Sequence, residues 1–158
     1  PLEHKFGSRS APGLMGSPRP PGEAPPRQRR LLLALWEALG ENPVPREEAR
    51  VLAQLLGEER LAPLLQISRS SAQRYARGER QVPEAIVDKL HWLAILVGHL
   101  TGTYNELGVR RWLERPRTAL GGRSPTEVLL ADGAWTPESD GARSVDRLAR
   151  ATIGMAAT

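Results

Sequence analysis

From Gln28 onward, apolar residues recur every three to four positions, and no stretch keeps the two-residue alternation of a half-buried strand. The pattern predicts an all-α protein. A first helix spans Arg29 to Leu39, with Gly40 as its stop and Asn42-Pro43 preventing continuation. A second covers Arg46 to Leu56, where Ala49, Leu52, Ala53 and Leu56 make an i, i+3, i+4, i+7 stripe and Gly57 ends it. Two short helices follow, near 60–65 and 69–77. Pro83 then opens a long helix to about Thr101, striped by Ile86, Leu90, Leu93, Val97 and Leu100.

The remaining residues predict a second module of short helices. Asn105 to Glu114 is stopped by Pro116. Ser124-Pro125-Thr126-Glu127 is a capping box with proline at the first helical position, and it launches a helix through Leu130. A last helix runs from about Gly141 to Ile153, with Val145, Leu148, Ala149 and Thr152 on one face, followed by a short tail. The expected organisation is a tail over 1–27, a helical module over 28–103 and a second over 104–158.

Within the first module, Leu61 to Gly78 has the layout of a helix-turn-helix. Ala62 supplies the small residue that two steeply crossed helices need where they touch. Ile67, Ala72 and Tyr75 are spaced to fill the gap between them, Ser68 is a good N-cap, and Gly78 terminates the second helix. Ser70, Ser71, Gln73, Arg74 and Arg77 are left on its outer face with no core to fill. Gln pairs bidentately with adenine and Arg with guanine in the major groove, and Arg69 at the helix start suits a phosphate. These six residues are the expected DNA contacts. Two departures from the usual pattern stand out: Gln66 occupies the place where the turn usually has glycine, and Pro63 lies inside the first helix of the pair, which is tolerable if that helix begins near Arg60.

Charge sharpens this picture only locally. Residues 1–30 carry six basic side chains against two acidic ones, whereas 31–158 carry sixteen of each, so the net charge of +4 is a property of the tail. Between Leu61 and Val82, however, four arginines face only Glu79, a local excess of +3. The tail itself holds seven prolines and four glycines with few large apolar residues, a composition that predicts disorder. Pro1 is not a natural start, and the residues ahead of Met15 are candidates for added sequence.

Other chemistry finds little footing. With no cysteine there is no disulfide, thiolate metal site or cysteine nucleophile. The longest apolar run, Trp92 to Gly98, is far short of the roughly 20 residues that span a bilayer, and nothing resembles a secretory signal, so a cytoplasmic protein is expected. His91 and His99 point roughly 80° apart around their helix, with no acidic residue placed for a metal. Leu120-Gly121-Gly122-Arg123-Ser124 lacks the spacing and lysine of a P-loop and reads as a tight turn feeding the capping box. No catalytic triad or carboxylate pair is evident, so neither an enzyme nor a cofactor is expected.

The run Arg111-Trp112-Leu113-Glu114-Arg115-Pro116, followed by Ala119-Leu120-Gly121-Gly122-Arg123-Ser124-Pro125-Thr126-Glu127-Val128-Leu129-Leu130, resembles the toxin-binding domain of the Xre/MbcA/ParS antitoxin family. The resemblance covers about residues 45–158. It implies a type II antitoxin that dimerises, represses its own operator through the helix-turn-helix and occludes a cognate protein toxin, usually a RES-domain enzyme that consumes NAD. Trp112, Arg123 and the terminal Ile153, Gly154 and Met155 are the toxin-facing residues it implies. Family members typically end on a helix with a His-Gly or similar pair; this chain keeps the glycine and lacks the histidine. The alternative is a stand-alone helix-turn-helix regulator with no toxin partner, in which Trp112 is core and Arg123 pairs with a carboxylate such as Glu127.

Overall fold

The computed structural model describes residues 44–131 and 133–156. The expected helix over Arg29 to Leu39 and the tail over 1–27 lie outside them. Seven α-helices and one 3₁₀ turn make up the described residues, and no strand occurs among them. The all-α expectation holds for this part of the chain.

Helix α1 (Pro45–Leu56) begins with proline and carries Glu47 and Glu48 in its first turn, where carboxylates complement the helix dipole. Gly57, at φ 83°, closes it by donating to the Ala53 carbonyl at 3.0 Å, and the same glycine is the N-cap of α2 (Glu58–Leu65). Helix α2 therefore starts two residues before the expected Arg60, and Pro63 stands in its interior. An interior proline costs about 3 kcal/mol. Burial of Leu61, Leu64 and Leu65, each worth about 1.5–3 kcal/mol, outweighs it.

Gln66 then takes left-handed φ 58° and ψ 43°, and Ser68 caps α3 (Arg69–Arg77) by accepting from the Ser71 N–H at 3.0 Å. Gly78, at φ 69°, ends that helix, and the Glu79 N–H reaches back to the Arg74 carbonyl at 2.9 Å in a Schellman closure. Helix α4 (Glu84–Thr101) starts one residue later than expected, with Pro83 as its N-cap. Leu90, Leu93, Val97 and Leu100 of the stripe are buried and Ile86 is half-buried; Leu96 and Ala94 are buried beside them.

Asn105 caps α5 (Glu106–Glu114) by accepting from the Gly108 N–H at 2.8 Å. After Pro116 the backbone doubles back, pairing the Arg117 N–H with the Arg123 carbonyl at 3.0 Å around the 3₁₀ turn Thr118–Leu120. Gly121 and Gly122, at φ 66° and 80°, make that reversal. A Cβ at either would meet nothing within 4 Å, so the glycines serve backbone conformation and not close packing. The capping box of α6 (Pro125–Leu130) forms in full: Ser124 N–H donates to Glu127 Oε2 at 2.6 Å, and Glu127 N–H to Ser124 Oγ at 3.2 Å. Helix α7 (Asp140–Ala156) runs three residues past the expected end at Ile153. Gly154 was read as part of a tail; it sits in the helix without positive φ.

One continuous apolar core runs from Ala49 and Leu52 of α1 through Leu93 and Val97 of α4 to Trp112 of α5, Trp135, and Val145 and Ala149 of α7. The expected module boundary at 103/104 therefore crosses a shared core.

Candidate nucleic-acid interface

Helix α3 buries one side and exposes the other. Ala72 and Tyr75 face inward, at 0% and 4% exposure, and the equally small Ala62 of α2 is buried too, at 3%. Ser70, Arg74 and Arg77 fall within roughly 60° of one another around the outer side, as the 100° step per residue requires. All three are exposed, as is Arg69 at the helix start.

The six expected DNA contacts thus divide. Arg69, Ser70, Arg74 and Arg77 project outward, with Arg77 only 4.0 Å from the exposed Glu79 carboxylate. Gln73 does not project freely: its Nε2 donates to Glu58 Oε2 of α2 at 2.6 Å, and Arg69 Nε stands 3.7 Å from the same oxygen. Ser71 is half-buried, and its hydroxyl accepts from Ser68 Oγ at 2.9 Å, so it belongs to the cap. Glu58 was not singled out in the sequence, because it lies 15 residues from Gln73 on a separate helix.

Arg46 was also missed. Its side chain lies across Gly78, against the spot a Cβ there would occupy, which places a further guanidinium beside the end of α3. Arg46 and Arg80 line a shallow cleft of about 550 Å³ with Val82 and Val87 as its apolar wall. Arg69, Arg74, Arg77, Arg80 and Arg46 are all exposed, on α3 or beside its end, and Glu58 near Arg69 is half-buried.

Helix α1 also carries a buried carboxylate on its core side, four residues before Leu52. Glu48 is 0% exposed; its Oε1 meets His91 Nδ1 of α4 at 2.8 Å, and its Oε2 is buried with no hydrogen-bond partner. Burial pushes its carboxyl above the ordinary range, against the opposing pull of His91. Among the described residues no group of three or more His, Cys, Asp or Glu side chains is placed to hold a metal ion.

The five residues implied as toxin-facing do not come together. Trp112 is 1% exposed, its indole N–H has no partner, and Arg117 stacks over its ring at 5.7 Å from the centroid. It fills the core and offers no surface in this conformation. Arg123 is exposed at the rim of a cleft of about 330 Å³ between the Gly121 turn and the start of α7, where Asp140 and Ser144 line the other wall. It makes no direct ion pair with Glu127, whose carboxyl is lowered below the ordinary range first by the Ser124 hydrogen bonds and in smaller part by the charge of Arg123. Ile153 is half-buried, and Gly154 and Met155 are exposed, on the last turns of α7 and not on a tail. At 1.5 Å per residue they lie roughly 20 Å along the helix from Asp140 and the Arg123 cleft.

No helix among the described residues is long and apolar enough to cross a membrane. Comparison with protein-family models, with curated proteins and with solved structures finds no match.

Proposed function

We propose that this chain is a helix-turn-helix regulator that binds double-stranded DNA through α3, and that it is the antitoxin of a type II toxin–antitoxin pair. The observation that carries the DNA reading is the two-sidedness of α3: Ala72 and Tyr75 buried, and Ser70, Arg74 and Arg77 exposed on one outward face with Arg69 at the entry. Forked guanidinium donors fit guanine edges and phosphates, and Ser68, Arg69 and Ser70 at the start of α3 are exposed. The Arg46 and Arg80 side chains extend the cationic surface to where flanking phosphates would run.

The antitoxin reading rests on the resemblance of residues 111–130. The coincidence of a double-glycine turn, a serine cap and a proline start, all formed here, supports it. On this reading the partner is a protein toxin of the NAD-consuming RES type, the chain is a cytoplasmic homodimer, and it has no catalytic activity of its own. The burial of Trp112 favours a second reading, a stand-alone regulator whose C-terminal half is purely structural.

Selection of duplexes from a random-sequence library tests the first claim: a recovered consensus, lost on Arg74→Ala, is expected. Co-expression with the product of the adjacent gene tests the second. Rescue of a growth arrest, with a complex on size exclusion, is expected. A toxic neighbour left unneutralised would leave the stand-alone regulator.

A further inference from the structure

We propose that Gln66 is a positioning residue, clamping the turn before α3 to α4 and to the C-terminal half so that α3 is held for reading DNA. The inference rests on the DNA-binding reading above. Gln66 is the one non-glycine with positive φ among the described residues, at 58°. Glycine would sit there without strain, so the side chain must earn its place.

That side chain bridges two elements. Its Oε1 accepts from Lys89 Nζ of α4 at 2.7 Å, and its Nε2 donates to the Gly133 carbonyl beyond α6. Gln66 and Gly133 are exposed, whereas Lys89 is itself fixed. Lys89 is 9% exposed, and its ammonium lies 5.5 Å over the Trp135 ring. Trp135 is 1% exposed, packs edge-on against Trp92 at 5.2 Å, and donates its Nε1–H to the Leu64 carbonyl at 2.7 Å. Leu64 is in the last turn of α2, where carbonyls have no partner within the helix.

Leu64 and Gln66 are thus gripped from outside, on either side of one residue, and Ser68 begins the cap of α3 two residues later. So short a connection has no slack. On this proposal the Trp135 and Gly133 contacts hold the turn that joins α2 to α3, beside the buried Ala62 and Ala72. A base-reading face needs that accuracy, whereas a merely folded helix pair does not.

The test uses the full chain with Gln66→Gly, which removes the clamp while relieving the left-handed backbone, and Gln66→Met, which keeps the length and loses both hydrogen bonds. Two quantities are read: hydrogen exchange of the Ala72 to Arg77 amides in the free protein, and the ratio of affinities for the library-selected duplex and a scrambled one. Both variants should exchange faster by roughly tenfold or more. Both should lose roughly tenfold or more of the specificity ratio, the worth of one base contact, with scrambled-duplex affinity unchanged. A purely structural role predicts that Gln66→Gly reads DNA like wild type, because its backbone is relaxed. Wild-type exchange in both variants, or faster exchange with an intact ratio, overturns the proposal. If the wild-type chain selects no sequence, the DNA-binding reading fails, and the positioning role falls with it; exchange alone then decides whether the turn is clamped.

Discussion

Glu48 Oε1 and His91 Nδ1 stand 2.8 Å apart where α1 crosses α4, and the second carboxylate oxygen of Glu48 is sealed away without a partner. Burying a carboxylate this way disfavours its charged form more than His91 compensates, so the folded chain holds its proton more tightly than the unfolded one. The folded pKa is raised, so the penalty is present above it and is relieved as pH falls toward the ordinary 4.5. Glu48→Gln keeps the shape and removes the charge. Its melting temperature should exceed that of wild type at pH 7 to 8, and the advantage should shrink as pH drops toward 5. A lower melting temperature at pH 7 would show that the contact with His91 outweighs desolvation.

Glu127 should respond in the opposite sense. Its carboxylate accepts from the Ser124 N–H, which lowers its folded pKa, so its contribution is in place above about pH 4.5 and is lost as pH falls through the lowered value. The partner in that box can be tested at neutral pH. Ser124→Ala should destabilise the fold by about 1 kcal/mol in urea titrations, the usual worth of an N-cap serine. An unchanged midpoint would mean that Pro125 and the preceding turn start α6 unaided.

On the outer face of α3, Arg74→Ala should weaken selected-duplex binding by about 1–3 kcal/mol if the guanidinium reads a guanine, and leave the melting curve in place. Equal affinity in a gel-shift titration would remove Arg74 from the interface.

Glu58 restrains that face. It holds the Gln73 amide at 2.6 Å and lies 3.7 Å from Arg69, and its charge opposes an approaching phosphate. Glu58→Gln should therefore tighten binding to scrambled duplex, with a steeper dependence on salt as Arg69 becomes free to neutralise a phosphate. Fluorescence anisotropy across a potassium chloride series reads both. Weaker binding would mean that Glu58 orients Arg69 and Gln73 for DNA.

Gly154 lies exposed inside α7 with open space where a Cβ would go. Gly154→Ala should stabilise the chain by about 0.5–1 kcal/mol, as alanine for glycine does in an exposed helix. A loss of stability in thermal melts would show that the last turns of α7 are not helical in solution.

Much of this architecture could be read from local pattern. The Ser68 cap, the Gly78 stop, the Asn105 start and the Ser124–Glu127 box each lie within a few residues of what they satisfy, so their chemistry is written in short words of sequence. Gly154 misled, because glycine marks a helix end when it is left-handed and is silent when it is not. Contacts between distant elements were not legible at all. Gln66 meets Gly133 across 67 residues, and Trp135 meets Leu64 across 71. Periodicity says that Trp135 is apolar and Gln66 polar, but nothing about their bearing on each other. The same gap hid Glu58 behind Gln73 and made Trp112 look available when it is core.

The core that runs unbroken past residue 103 bears on how such a chain can change over time. A recombination breakpoint between α4 and α5 would strip Leu93, Val97 and Trp112 of their counterparts and leave two sticky halves. Exchange at that joint would cost both halves their packing, so the surface around α3 and the surface around α7 rest on one shared interior. A change made for one surface is therefore made against the interior that also supports the other.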